Sequence, residues 1–256
     1  MELFSYNFLI ITVLFFAVAV VYSSVGHAGA SGYSAVMALM SVQPMLMKST
    51  SLMLNIAVGL IGFYRFYRAG LIDLKKVWPF IIFSMPIAFF SSQLVIDKRI
   101  FFFLLAVLLL IAGMKLCIHK SSSSSVEVSS QERVIPKSAA MFSGGLIGFL
   151  SGITGTGGAI FFTPLLLSAG WAQPREAAGL SVCFVLVNSI FALAGISKAG
   201  TFINIKLGLI WIFVVVLGAL VGTYLGIVKF SGSSIKKILG LVLITAAIKL
   251  FTVSFQ

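Results

Sequence analysis

Ser151-Gly-Ile-Thr-Gly-Thr-Gly-Gly-Ala-Ile-Phe-Phe-Thr-Pro164 breaks an otherwise membrane-grade hydrophobic run with four glycines and with Thr154 and Thr156. A weaker copy near the N-terminus reads Ser23-Ser-Val-Gly-His-Ala-Gly-Ala-Ser-Gly-Tyr33. Each copy precedes a short apolar run, a Gln-Pro pair and a long hydrophobic segment. Irregular backbone survives at membrane depth only where it is buried in protein or lines a cavity. Two such interruptions at matching places therefore suggest two halves of one binding site.

The rest of the chain agrees with a membrane setting. Its 256 residues are 60% hydrophobic and 9% charged, with a mean hydropathy of +1.14, which leaves too little polar surface for a soluble globule. The fold class expected is an all-α integral membrane protein forming a single membrane domain, multi-pass in the plasma or bacterial inner membrane. The net charge of +12 sits mainly in short gaps between apolar runs. It reads as positive-inside anchoring and contact with anionic lipid, not as a nucleic-acid surface. Cys117 and Cys183 share no motif spacing and read as small core residues. Glu2, with no Lys or Arg before Lys48, does not make the n-region of a signal peptide, so Leu3 to Val21 are expected to stay in the mature protein.

Hydrophobic runs cover roughly 3–25, 30–41, 45–64, 77–96, 100–118, 138–152, 158–169, 177–197, 207–228 and 236–254. A spanning helix needs about 20 residues. Runs 30–41, 138–152 and 158–169 are shorter, and at about 1.5 Å per residue each reaches only part of a core about 30 Å thick. A serine-rich polar segment, 121–137, separates a first repeat (1–120) from a second (138–256). Gln43-Pro44 matches Gln173-Pro174, Ser51 matches Ser181 and Ala69-Gly70 matches Ala199-Gly200, all 130 residues apart. Lys115-Leu116 matches Lys249-Leu250 at 134. So constant a register points to an internal duplication into two homologous halves.

These residues resemble the sulfite exporter TauE/SafE family of membrane transporters over essentially the whole chain. Gly155-Thr-Gly-Gly-Ala159 is similar to the family's G-x-G-G-G pattern, with Ala159 at the last glycine. Gly26-His-Ala-Gly-Ala30 departs further, with Ala28 and Ala30 at positions where the family often has glycine. The resemblance implies about eight transmembrane helices and a substrate such as sulfite, sulfoacetate or another organosulfur anion.

Glycines permit positive φ and close approach, and a helix that starts after them offers unpaired N–H groups and a positive dipole end. An oxyanion suits that chemistry. The substrate-binding set expected is Ser23, Ser24, Gly26, His27, Gly29 and Ser31 from the first signature, Ser151, Thr154, Gly155, Thr156, Gly157 and Gly158 from the second, and Asn55 and Asn188 from the long segments after the Gln-Pro pairs. Close helix packing would equally explain small residues in membranes, and helix–helix hydrogen bonding would explain the asparagines. His27 reads either as a proton relay or as a neutral structural histidine. Neither signature contains Lys or Arg, so binding would rest on backbone dipoles and hydroxyls, weak enough to release the anion.

Enzyme chemistry finds no foothold: there is no H-E-x-x-H, no G-x-S-x-G, and the six carboxylates lie outside or at the edges of the runs. No cofactor is expected. Without a Walker A motif, uphill transport would draw on a coupling proton or sodium ion, or on a partner. The competing reading is a membrane scaffold that binds a partner protein. Segment 138–170 fits a re-entrant hairpin whose glycine tip stops inside the membrane, with three spans following it. That arrangement makes the repeats inverted, with both chain ends outside and the linker in the cytoplasm. It places 12 Lys and Arg on one side and 6 on the other, against 11 and 7 for parallel repeats.

Overall fold

The computed structural model describes residues 2–24, 27–118, 135–198, 205–228, 244, 247–252 and 254. Nine helices cover them in chain order, α1 (Glu2–Ser24), α2 (Ala30–Leu39), α3 (Pro44–Arg68), α4 (Leu74–Ser92), α5 (Lys98–Ile118), α6 (Lys137–Thr154), α7 (Ala159–Ser168), α8 (Pro174–Lys198) and α9 (Ile205–Val228), and there is no strand among the described residues. Residues 247–252 are helical as well. Three helices, Pro44–Arg68, Leu74–Ser92 and Arg175–Lys198, are by length and composition able to cross a membrane. Most of the linker and Gly26 lie outside the described residues.

The sequence explains the helix ends. Pro44 and Pro174 open α3 and α8, where a missing N–H costs nothing. Gly70 and Gly170 hold φ of 69° each, and Leu71 and Trp171 donate back to Phe66 and Leu166 carbonyls, which closes α3 and α7 with Schellman turns. The carboxylate of Asp73 accepts from the Lys75 N–H at 2.8 Å and caps α4. Helix α6 extends the hydrophobic run 138–152 by one residue at its start and two at its end, and its hydroxyls turn inward. Ser143 and Thr154 donate to the carbonyls of Ala139 and Leu150, both at 2.6 Å, so neither presents an unpaired donor on an apolar face.

Contacts along the helices fix their directions. Gly144, Gly148 and Gly152 of α6 lie against Phe80, Ser84 and Ala88 of α4, rising together, so the two run parallel. Gly218 and Gly222 of α9 lie against Phe16 and Val20 of α1 in the same sense. Lys76–Glu176, Ser84–Asn188 and Phe89–Gly195 set α4 parallel to α8. Gly59–Leu186 and Gly62–Val182 set α3 antiparallel to α8. Helix α2 doubles back on α1, through Ser31–Tyr22 and Tyr33–Phe15, and is antiparallel to α3 through Ala30–Asn55 and Ser34–Ser51. Helix α7 is antiparallel to α8 through Gly158–Phe184 and Thr163–Ser181. Thus α1, α3, α7 and α9 run one way and α2, α4, α6 and α8 the other.

Two apolar clusters hold this arrangement. Phe15 packs edge-on against both Tyr33 and Trp211, with centroids 5.2 Å apart in each pair, locking the α1–α2 hairpin to α9. Phe162 stacks on Phe184 at 4.2 Å and meets the edge of Phe80 at 4.9 Å, locking α7 between α8 and α4. The outward faces carry Leu9, Val13, Phe142, Leu146, Phe149 and Phe213, all exposed, as a lipid-facing surface would.

Candidate functional site

Both glycine turns adopt the backbone that their residues permit. Gly29 precedes α2 with φ 101° and ψ 5°, and Gly158 precedes α7 with φ 88° and ψ −4°, the same left-handed conformation at matched positions. Gly155 at 71° ends α6, and Gly157 follows at 75°. Each turn tips a helical hairpin, α1–α2 or α6–α7, and the tips meet at the centre of α3 and α8. One narrow crevice there is lined by Tyr22, His27, Ala28, Gly29, Ala30 and Ser31 of the first tip, by Thr156, Ala159 and Ile160 of the second, and by Asn55 and Val185. A second crevice adjoins it through His27 and Ala28 and continues along Val58, Gly59, Gly62 and Phe66 of α3 to Ser23, Val182 and Thr223. Each has space for about one water.

Asn55 is the hub. Its Oδ1 accepts from the Ala30 N–H at 2.9 Å, capping α2, and its Nδ2 donates to Ser189 Oγ at 3.3 Å. A side chain on Gly157 would collide with that same amide nitrogen. His27 Nε2 pairs with Thr163 Oγ1 at 3.2 Å, and Thr163 pairs with Ser181 Oγ at 2.7 Å, a chain from the first tip through α7 to α8. Helices α2 and α3 repeat the pattern with Ser34 and Ser51 at 2.8 Å.

The remaining expected residues divide. Ser31 donates to Tyr22 Oη at 2.9 Å, and Ser24 donates to the Val21 carbonyl at 2.7 Å. Thr154 gives its proton to Leu150 and accepts from Thr156 at 2.9 Å, so both threonine donors are engaged. Ser23 and Ser151 are buried with unpartnered hydroxyls. Ser151 lies against Gly158, its Cβ 3.6 Å from where a side chain there would begin, and so beside the amino end of α7. Asn188 does not reach either crevice: its Oδ1 accepts from Ser84 Oγ at 2.7 Å and ties α8 to α4, the helix–helix role.

Lys48 is a residue that sequence reasoning did not single out, counting it only among the 18 basic residues. Only 3% of Lys48 is exposed, its Nζ donates to the Ser92 carbonyl at 2.7 Å, and a side chain on Gly155 would come within 2.8 Å of its Cγ. A lysine four residues inside an apolar helix, with Ser49, Thr50 and Ser51 after it, is the signal that could have marked it.

The family model described as sulfite exporter TauE/SafE matches residues 11–250. A protein of Sinorhizobium fredii, named probable membrane transporter protein y4hK, is 31% identical over 240 residues, covering 94% of this chain and 96% of that one. No solved structure matches the chain. The chain belongs to the sulfite exporter TauE/SafE family, and its apolar helices agree with a multi-pass membrane protein of a transporter family.

Proposed function

We propose that this member of the family carries a small sulfur-containing oxyanion or organosulfonate across the cell membrane, through one site built jointly by the two hairpin tips. The observation that carries this reading is the convergence of both tips on the Asn55 crevice. There the first amides of α7, at Ala159 and Ile160, border the crevice with the positive end of their helix. The unpartnered hydroxyl of Ser151 lies beside them, buried, and gives a second donor at the same place. Family membership supports the anion class, and the relative's name supports transport. The scaffold alternative offers no account of buried, unpartnered donors gathered at the centre of the helices.

Six spanning segments, α3, α4 and α5 with α8, α9 and the C-terminal helix, together with one re-entrant hairpin per half, would complete the fold in an inverted arrangement. The opposite helix directions of the two halves support it: α1, α2, α3 and α4 each run against α6, α7, α8 and α9. Inverted hairpins approach the midplane from opposite faces, which suits alternating access about a fixed site.

The test is transport of sulfite, thiosulfate, sulfoacetate and taurine in parallel into vesicles carrying the purified chain. Gly29→Leu and Gly157→Leu should each block the solute that the unmodified protein moves. Normal transport by both variants, correctly inserted, would refute the joint site. Movement of none of the four solutes by the unmodified protein would refute the substrate class.

A further inference from the structure

We propose that Lys48 is the fixed cation of this path, the ammonium that the oxyanion meets between the second hairpin tip and the end of α4. The inference rests on the transport reading above and deepens it. A buried lysine ordinarily has a carboxylate beside it, because an uncompensated charge at membrane depth is costly. Among the described residues no carboxylate pairs with Lys48, and its ammonium donates to a single backbone carbonyl, that of Ser92. An ammonium has three donors, so two remain for a ligand.

Position supplies the second argument. Lys48 and Asn55 are seven residues apart on α3, which puts them on one face, about 10 Å apart along the axis. Asn55 lines the crevice, and Lys48 lies against Gly155, the residue that ends α6 and starts the second tip. Gly59 and Gly62 continue the same face along the other crevice. Lys48 therefore stands on the face of α3 that lines both crevices, about two turns before Asn55. The Ser92 carbonyl at the end of α4 holds the ammonium in place and leaves its charge uncancelled. An oxyanion leaving the amides of α7 would pass to it by exchanging one set of N–H donors for another.

A structural reading makes Lys48 only a cap for α4, and the two roles separate by substitution. Glutamine can still donate to the Ser92 carbonyl but carries no charge, whereas arginine keeps both. In vesicles loaded for radiolabelled sulfite uptake, Lys48→Gln should raise KM about ten-fold or more with an unchanged unfolding midpoint, and Lys48→Arg should stay close to the unmodified protein. An unchanged KM in Lys48→Gln, with transport by the unmodified protein intact, would overturn the role of Lys48 and leave the transport reading standing. Absence of sulfite uptake by the unmodified protein would instead remove the reading on which the role rests. A measurement without variants guards against misfolding: reductive methylation followed by peptide mass spectrometry, with and without sulfoacetate, which unlike sulfite does not consume the formaldehyde reagent. Sulfoacetate should slow modification of Lys48 and leave exposed Lys75 and Lys198 unaffected. Equal labelling with and without sulfoacetate, or no labelling of Lys48 in either condition, would overturn the proposal.

Discussion

Gly157→Ala and Gly70→Ala form a matched pair that isolates what the second tip is doing. Both glycines are left-handed, at φ 75° and 69°, so alanine carries the same backbone penalty at each, about 1–2 kcal/mol. At Gly70 the added methyl meets nothing within 4 Å. At Gly157 it meets the Asn55 amide, Val185 Cγ1 at 2.8 Å and Ser189 Oγ at 3.1 Å. Asn55 cannot retreat without releasing both the Ala30 N–H and Ser189. Losing one such buried bond costs about 1–3 kcal/mol when a donor is left unpaired, and the second adds about 1 kcal/mol. Gly157→Ala should therefore be less stable than Gly70→Ala by roughly 2–4 kcal/mol, a gap on the order of 5–15 °C in unfolding midpoint. The assay is thermal unfolding of both variants in the same detergent, followed by transport in vesicles. Midpoints within a degree of one another would refute the argument that Asn55 fixes the contact between the tips.

His27→Gln addresses the hydrogen-bond chain from His27 through Thr163 to Ser181; if His27 relays the coupling proton, the variant should lose its response to a pH gradient while retaining substrate binding, and an unchanged response would assign His27 to structure. Accessible cysteines at residue 256 and within 121–133 test the inverted arrangement, which requires an external C-terminus and a cytoplasmic linker, so labelling of both from the same side would refute it.

The glycine turns were legible because each demands a backbone that only its residues supply, and the helices start where the turns end: α2 at Ala30 and α7 at Ala159. Pro44 and Pro174 marked the starts of α3 and α8 for a similar local reason. Ser51 and Ser181, noticed only as a repeated pair, prove to hold matching hydroxyl bonds to Ser34 and Thr163. What sequence could not supply was partnership between distant helices. Nothing local says that Gly144, Gly148 and Gly152 of α6 accept α4 from the other half, or that Gly218 and Gly222 of α9 accept α1. Small residues announce a close contact without naming what approaches. Asn188 and Lys48 were open on the same account, since only the fold shows that the Asn188 carbonyl oxygen meets Ser84 and that Lys48 packs its stem on Gly155 while its ammonium reaches Ser92.

The departures from symmetry say more about the site than the symmetry does. The hydroxyl pairs and glycine turns match between halves, yet Asn55 corresponds to Val185 at the 130-residue offset, and Lys48 corresponds to Ala178. Asn55 closes the amino end of α2 by accepting the Ala30 N–H. Valine has no acceptor, so Val185 cannot do the same for the amino end of α7, although it lines the crevice beside Ala159. Of two equivalent helix ends, one is therefore sealed by the protein's own amide and the other is left with donors to offer. The lysine falls on the side of the open end, against Gly155 of the same tip. A duplicated scaffold that alternates between faces requires its moving parts to be alike, whereas a solute that binds once per cycle requires a single set of donors. On the proposed reading the chain meets both conditions by repeating its hairpins while leaving only the amino end of α7 unsealed, with Lys48 of α3 packed against the same tip.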